Sequence, residues 1–284
     1  MELISQGINQ MVQNMQTSST LKEDEYIGSD GLIYCKKCNT RRQTEEIYFG
    51  KHQPIMCKCK KEEYEDEQQR LIQKEKNLLL DKLRKASLIG DKYKDVNFTN
   101  TIIYDEDFKK VFDRCKKYCE VADEVLKRGI GIYLYGTKGV GKSRLTACMC
   151  NELISKYYTV LYTNFSEISK NIRNTFNSKS DSELEFIEKL TSIDFLFIDD
   201  FGTELVTKNG EDNWLQEKIF EVINKRYNNN KPTIFTSNYS LQELINDRGL
   251  ADKTVDRIFE TCEVMKLIGT SYRISNAKNR KRLF

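Results

Sequence analysis

The amino-acid sequence predicts an α/β fold, in which a domain with a parallel sheet follows a small cysteine-rich module and a helical linker. Three observations lead to this prediction. Short β-prone apolar runs alternate with helical segments from residue 131 to residue 268, a pattern typical of a parallel sheet covered by helices. A glycine-rich turn joins a strand to a helix within that region. Two close pairs of cysteines precede it.

Length and composition limit the number of domains and the kinds of partner that the chain can have. The 284 residues suit one domain of ordinary size and a smaller one. Lys and Arg number 46 against 43 Asp and Glu, a net charge of +3 that is too balanced to indicate a nucleic-acid partner by itself. No apolar run approaches the length of a membrane span, and the N-terminus does not resemble a signal peptide. We therefore expect a cytoplasmic protein without a membrane partner.

The first module is predicted to be a zinc ribbon. Its four cysteines form two pairs, eighteen residues apart and separated by a β-prone stretch: Cys35 and Cys38, then Cys57 and Cys59. Four soft thiolates suit tetrahedral Zn²⁺, and cysteines in a cytosolic chain are thiols or metal ligands before they are disulfides. Four unrelated thiols and a redox C-x-x-C remain as alternatives. His52 could replace one cysteine as a ligand, but we expect it to be a bystander.

The segment after the second cysteine pair predicts the domain organisation. Residues 59–88 are dense in Lys, Glu and Gln, with leucines at helical spacing, and predict a connecting helix. We therefore expect a zinc-binding module over residues 1–60, a helical linker over 61–90 and the α/β domain over 91–284. Residues 1–22 predict a short amphipathic helix.

The glycine-rich turn, Gly136–Ser143, fits the pattern G-x-x-x-x-G-K-[ST]. It lies between the apolar run 132–135 and a predicted helix, which is the context that the motif needs. In such a loop, successive backbone N–H groups and the helix N-terminus face phosphate oxygens. We expect Lys142 to reach the β- and γ-phosphates and Ser143 to hold Mg²⁺. The ATP-binding residues predicted from the motif are Gly136, Thr137, Lys138, Gly139, Val140, Gly141, Lys142 and Ser143.

Two acidic residues end a later apolar strand, 195–198. A buried parallel strand that delivers carboxylates at its C-terminal edge is the expected companion of the glycine loop. Asp199 is expected to position Mg²⁺, one sheet position away from the glycine-loop strand, and Asp200 to polarise the attacking water. The alternative is a strand that simply ends in acids.

The helices around the strands are predicted from apolar periodicity and cap residues. Residues 105–128 carry one apolar face and predict a single helix. Ser166 is predicted to cap the helix that ends near residue 176.

Several short motifs later in the sequence indicate a more specific family. With the glycine loop, they resemble the AAA+ ATPases and, among these, the bacterial and phage DnaC/DnaI helicase loaders, over roughly residues 90–275. The resemblance implies a AAA+ P-loop NTPase domain. The motifs that carry it, besides Gly136–Ser143, are Phe197–Glu204, Ile223–Tyr227, Thr236–Tyr239, Asp256–Ile258 and Ser271–Arg273.

The same resemblance implies roles for individual residues. Asn238 corresponds to the sensor that orients water and γ-phosphate, and Arg257 to the arginine finger that projects into the ATP of a neighbouring subunit. Arg273 falls where a second arginine near the nucleotide is expected. Many AAA+ members have Glu where this chain has Asp200, so we expect slow hydrolysis, with Glu204 as a possible assistant.

The implied function is ATP-dependent loading of a hexameric replicative helicase onto single-stranded DNA during DNA replication. By the resemblance, the zinc module grips the helicase, and hydrolysis requires assembly of this chain into a ring or spiral. The expected cofactors are ATP, Mg²⁺ and Zn²⁺. A transposition-helper ATPase of the IstB type shares the ATPase domain and stays open, as does a nucleotide-dependent scaffold that does not hydrolyse ATP.

Overall fold

The structure is a computed structural model, and it describes residues 21–176, 181–203 and 212–269. The described residues fall into two compact units divided between Asn77 and Leu78. No helix in these ranges is both long and apolar enough to cross a membrane. The amphipathic helix predicted over residues 1–22 lies almost entirely outside the described residues.

The first unit contains two antiparallel hairpins. In the first, Glu25 pairs with Cys35, so the strand register sets an acidic residue beside the first cysteine. In the second, Ile47 pairs with His52, and the register shifts between Gln43 and Ile47. The strands are β1 (Glu25–Ile27), β2 (Ile33–Cys35), β3 (Gln43–Tyr48) and β4 (Lys51–Pro54).

The predicted connecting helix is present as α1, Lys58–Ala86. None of its residues is buried, which agrees with its charged sequence. Its first part belongs to the first unit, and Leu80 and Leu83 pack against the core of the second. Where the domains divide along this helix stays a prediction.

The second unit contains a parallel sheet of five strands: β5 (Gly131–Gly136), β6 (Val160–Asn164), β7 (Phe195–Asp199), β8 (Thr233–Ser237) and β9 (Cys262–Leu267). Their order in the sheet is β6-β7-β8-β5-β9. The predicted parallel α/β architecture is confirmed. The expectation that Asp199 lies one sheet position from the glycine-loop strand is wrong, because β8 separates β7 from β5.

Helices cover both faces of the sheet. On β5, Ile132 and Leu134 join one apolar core, whereas Tyr133 joins the other. Because both faces are buried, the strands are continuous apolar runs rather than alternating ones. The helices are α2 (Glu106–Glu120), α3 (Ala122–Arg128), α4 (Lys142–Ser155), α5 (Phe165–Phe176), α6 (Asp181–Ser192), α7 (Asp212–Asn228), α8 (Leu241–Asn246) and α9 (Asp252–Thr261).

Two local predictions need correction. The single helix expected over 105–128 is broken at Val121, whose φ of −99° and ψ of 31° depart from helical values. The cap of α5 is Asn164 rather than Ser166, since the Asn164 side chain accepts a hydrogen bond from the backbone N–H of Glu167 at 2.7 Å. Ser166 lies inside the helix, because Asn164 is also a good N-cap residue and comes first.

Candidate nucleotide site and metal centre

The glycine loop connects β5 directly to α4, as its sequence predicts. Gly139 and Gly141 have φ values of 87° and 101°, which most residues with a side chain avoid. At Gly136, an added Cβ would lie 2.0 Å from the carbonyl oxygen of Leu267 on the neighbouring β9. The loop therefore needs glycine both for its backbone conformation and for the close approach of an adjacent strand.

Lys142 begins α4, and its side chain is buried beneath the loop. Its Nζ donates to the carbonyl oxygens of Gly136 at 2.8 Å and Thr137 at 2.9 Å. It also donates to Asn238 Oδ1 at 2.9 Å. The lysine ammonium and the predicted sensor are thus in direct contact.

Ser143, at the start of α4, contacts Asp199, at the end of β7. The Ser143 hydroxyl donates to Asp199 Oδ1 at 3.0 Å, and the Thr236 hydroxyl donates to the same oxygen. Hydroxyl and carboxylate oxygens are hard ligands of the kind that Mg²⁺ takes, alongside water and phosphate. This donor pair therefore fits a magnesium ion held beside the loop.

Asp200 lies in the turn after β7 with φ of 52°, a left-handed conformation that Asp tolerates better than most residues. The end of β8 holds this turn, because the backbone N–H of Asp200 donates to the Thr236 hydroxyl at 3.0 Å. The N–H of Phe201 donates to the Thr236 carbonyl at 2.8 Å. The position of the second acid is therefore set by β8 rather than by β7 alone.

These groups border one cleft of about 390 Å³, a volume within the range of small-molecule sites. Seven of the predicted residues line it: Lys138, Gly139, Gly141, Lys142, Ser143, Asp200 and Asn238. Gly136, Thr137 and Val140 are not among the lining residues, and Val140 is buried in the apolar core. Asp199 is not among the lining residues either, but its carboxylate accepts a hydrogen bond from Ser143, which lines the cleft.

Five lining residues were missed by the sequence analysis: Lys92, Tyr93, Tyr104, Arg144 and Thr203. The first three belong to a segment without regular secondary structure, which the sequence marked only as the start of the domain. Arg144 follows the motif directly, so its position alone could have indicated it.

The segment before α2 is fastened to α4. The side-chain amide of Asn151 donates to the carbonyl oxygens of Tyr93 at 2.8 Å and Val96 at 2.7 Å. Arg144 Nη2 donates to the carbonyl oxygen of Asn100 at 3.0 Å. These contacts hold the missed wall of the cleft against the helix that carries the glycine loop.

Arg257 is not among the described residues that line the cleft. It lies on α9, where its Nη1 donates to Glu260 Oε2 at 2.9 Å. Its guanidinium carbon is 4.4 Å from the centre of the Tyr227 ring, and the Tyr227 hydroxyl donates to Glu260 Oε1 at 2.7 Å. The predicted positions Arg273 and Glu204 lie outside the described residues.

The first unit brings the four predicted zinc ligands together. The sulfur atoms of Cys35, Cys38, Cys57 and Cys59 all lie within 4.8 Å of one another. His52 is not part of the cluster; its Nδ1 lies 2.8 Å from the carbonyl oxygen of Thr44. Four thiols at this separation, two of them buried, fit a closed tetrahedral Zn²⁺ site.

The other five cysteines have a different environment. Burial in the apolar interior raises the pKa of the Cys115 and Cys262 thiols to about 12. Burial likewise raises the pKa of Cys119 and Cys150 and, less strongly, that of Cys148. All five lie in apolar clusters of buried residues, so they serve as core side chains.

Comparison with known proteins agrees with this geometry. The family model described as IstB-like ATP binding protein matches residues 63–280. The replicative helicase loader DnaI of Bacillus subtilis (strain 168) is 27% identical over 239 residues, which cover 82% of this chain and 72% of DnaI. The replicative helicase loader DnaC of Escherichia coli (strain K12) is 24% identical over 58% of this chain and 64% of DnaC. This chain thus spans less than two thirds of the length of DnaC.

The fold is also similar to solved structures. The crystal structure of the DnaC helicase loader matches with a TM-score of 0.56 at 21% identity, covering 63% of this chain and all of that chain. At this identity the likeness shows the fold alone, and it agrees with the parallel α/β domain predicted from the sequence.

Proposed function

This chain belongs to the family of IstB-like ATP-binding proteins, and on that premise we propose that it is an ATP-dependent loader of a replicative DNA helicase. The observation that carries the proposal is the extent of the likeness to DnaI. It covers 82% of this chain, more than the second unit, residues 78–284, contains. It is also longer than the match to the family model, residues 63–280, so it extends beyond the part of the chain that IstB-like proteins share.

The site supports nucleotide binding by the glycine loop. Backbone N–H groups of the loop and of the N-terminus of α4 bind phosphate oxygens in this proposal. In this proposal, Lys142 exchanges its contacts with Gly136 and Thr137 for the β- and γ-phosphates. Ser143 and Asp199 hold Mg²⁺, directly and through water. The ion neutralises phosphate charge as it develops during transfer.

Hydrolysis is proposed to need both acids and a second subunit. Asn238 orients the attacking water and the γ-phosphate, and Asp200 polarises that water. Because Asp is one methylene shorter than Glu, we expect slow turnover. Arg257 acts on the nucleotide of a neighbouring subunit, which its location outside the cleft allows. Arg273 is proposed as a second arginine near the nucleotide.

The remaining parts of the proposal concern partners. Residues 1–60, with zinc held by the four cysteines, form the module that grips the hexameric helicase, and residues 61–90 link it to the ATPase domain, residues 91–284. Subunits assemble into a ring or spiral around single-stranded DNA, and hydrolysis releases the loader.

Co-purification with the replicative helicase of the same cell tests the proposal. The full chain should retain the helicase, more strongly with ATP than without nucleotide, and should increase helicase loading on single-stranded DNA circles. Lys142→Ala should abolish the nucleotide dependence. Absence of helicase binding under every nucleotide condition would remove the proposal.

Two other functions are distinguished by the same preparation. The family description favours a transposition helper as the second candidate; binding to a transposase without binding to helicase would select it. The third candidate is a non-hydrolysing scaffold. The test is the ATP turnover rate in the presence of helicase and single-stranded DNA. If Lys142→Ala leaves this rate unchanged, the scaffold is selected.

A further inference from the structure

Arg42 occupies a central position in the first unit. It immediately precedes β3, and its side chain is 7% exposed. Its backbone N–H donates to the carbonyl oxygen of Ile33 at 2.8 Å, and its carbonyl accepts from the N–H of Ile55 at 2.8 Å. Its backbone therefore joins β2, which ends in Cys35, to the chain that leads into Cys57.

The guanidinium of Arg42 lies between two carboxylates and the cysteine cluster. Nη1 donates to Glu25 Oε1 at 2.8 Å, and Nη2 donates to the carboxylate of Asp24. Nη2 also donates to Cys35 Sγ at 3.4 Å. This arrangement follows from the strand register, because Glu25 pairs with Cys35 across the first hairpin.

One donor of this guanidinium is unused. Arg42 Nε is buried and has no hydrogen-bond partner among the described residues. Leaving a buried donor without a partner destabilises a protein, because the hydrogen bond to water that is lost on folding is not replaced. A buried cation that already touches one sulfur and has a spare donor is suited to lie beside a metal centre with sulfur ligands.

The chemistry of the cluster supplies that centre. Zinc bound by four thiolates carries two net negative charges, which burial makes costly unless cations or N–H donors compensate them. Groups around a metal site also fix the orientation of its ligands. The carboxylates of Asp24 and Glu25 hold Arg42 in place, but they add negative charge instead of removing it.

We propose that Arg42 is a positioning residue of the zinc centre, which orients the Cys35 sulfur by an N–H···S hydrogen bond and compensates the charge of the four thiolates. The alternative is that Arg42 only forms ion pairs with Asp24 and Glu25. The two ideas differ in what they predict for zinc affinity. If only the ion pairs matter, loss of Arg42 and loss of a partner carboxylate should have equal effects, whereas a contact with the zinc centre makes the loss of Arg42 more severe. This proposal does not depend on helicase loading.

Arg41 provides the matched control. It is the preceding residue and also contacts acidic and aromatic side chains: Glu45, Asp30 and Tyr34. Its side chain is 40% exposed, and its described contacts include no sulfur. Arg41→Met removes the same charge from the adjacent position without touching the cysteine cluster.

The experiment measures zinc affinity of the full chain by competition with a chromophoric chelator. Arg42→Met should weaken zinc binding about 10–100-fold, as removal of groups that orient metal ligands does, whereas Arg41→Met should change it less than about threefold. Glu25→Gln should leave the affinity near normal or raise it, since it removes a negative charge. The sulfur-to-metal charge-transfer band of the Co²⁺-substituted chain should shift in Arg42→Met only.

Equal zinc affinities for Arg42→Met and Arg41→Met would overturn the proposal, as would equal losses in Arg42→Met and Glu25→Gln, or the absence of zinc from the wild-type chain. Nucleotide binding by the second unit serves as the folding control. If Arg42→Met fails to fold, Arg42→Lys replaces it, because lysine keeps the charge without the planar fork. Arg42→Lys should lose about three- to tenfold in affinity, and unchanged affinity with an unchanged Co²⁺ spectrum would contradict the proposal.

Discussion

Gly136 shows how one residue can depend on two neighbouring strands. A methyl group at this position would meet the Leu267 carbonyl of β9 at 2.0 Å, and backbone is less able to move aside than the end of a side chain. We expect Gly136→Ala to lower the free energy of unfolding by about 1–3 kcal/mol and to weaken nucleotide binding. Denaturant titration and fluorescent-nucleotide titration measure the two effects.

Gly90→Ala is the control for this prediction. Nothing lies within 4 Å of the Cβ that it would add, and its φ is not positive. It should leave stability and nucleotide binding close to wild type. If the two alanine variants behave alike, the close approach of β9 does not restrict the loop.

The carboxyl of Asp194 should make the free energy of unfolding depend on pH. Burial raises the pKa of its carboxyl, but hydrogen bonds from Thr159 and Lys231 together hold the pKa below the ordinary value of 3.8. A carboxylate with a lowered folded-state pKa stabilises the protein above the unfolded-state pKa, and this contribution is lost as the pH falls through the folded-state value. Below about pH 4, the free energy of unfolding should therefore lose the contribution of the Asp194 carboxylate.

Asp194→Asn tests this sign. The variant should be less stable at pH 7 by about 1–2 kcal/mol, since the contacts to Thr159 at 2.7 Å and Lys231 at 3.0 Å are weakened. It should then lose less stability than wild type between pH 5 and pH 2. Asp91→Asn, at a side chain that is 99% exposed, is the control. Parallel acid limbs for wild type and Asp194→Asn would contradict the prediction.

Single residues also show which parts of the site could be predicted from sequence. Lys142 and Ser143 follow from a motif, because phosphate binding fixes residue type and spacing together. Tyr93 and Tyr104 lie in a segment without periodicity. Helix α4 holds this segment through hydrogen bonds from Asn151 to Tyr93 and from Arg144 to Asn100, which leave no local signal in the sequence. Lining residues that are positioned by tertiary contacts cannot be predicted from their neighbours in the sequence.

At the scale of elements, the strands were predictable but their order was not. Apolar runs marked β5, β7 and β8, since buried parallel strands need apolar residues on both faces. Nothing in those runs states that β8 lies between the other two. This order matters because Thr236 on β8 contacts Asp199, and its hydroxyl also holds the turn that carries Asp200.

Helix α9 presents the predicted arginine finger. In the free subunit, Arg257 is held by Glu260 at 2.9 Å and lies over the Tyr227 ring. Arg257→Ala should leave nucleotide binding near normal and depress ATP turnover of the assembled protein by about tenfold or more, because a trans arginine contributes strongly in phosphoryl transfer. Steady-state turnover with helicase and single-stranded DNA is the measurement.

Mixing variants tests whether the arginine acts between subunits. Arg257→Ala and Lys142→Ala proteins should each have strongly reduced turnover. A mixture should recover part of it, since some interfaces combine an intact loop with an intact arginine. Lys253→Ala is a control on the same helix, where the lysine ammonium likewise lies over an aromatic ring, that of Phe220. If the mixture recovers no turnover, Arg257 acts within its own chain or is structural.

At the scale of the whole molecule, the two units differ in what stabilises them. The second unit has two apolar cores on opposite faces of its sheet. From residue 21 onward, where its structure is described, the first unit has four short strands and exposes several large apolar side chains, among them Ile47 and Phe49. A unit with so little buried apolar surface needs another source of stability, and metal binding in small zinc modules supplies about 10–16 kcal/mol.

Zinc removal should therefore act on one unit and spare the other. Metal analysis should find about one zinc per chain, and a strong chelator should unfold the first unit, with loss of amide protection from hydrogen exchange over residues 21–57, while nucleotide binding persists. Cys38→Ser should reproduce the effect of the chelator. Cys150→Ala, in the apolar core, should keep its zinc, because the buried Cys150 thiol has a raised pKa and does not supply a thiolate. Protection that survives complete zinc removal would mean that the hairpins of the first unit are stabilised by their own contacts, and the four cysteines would then need another explanation.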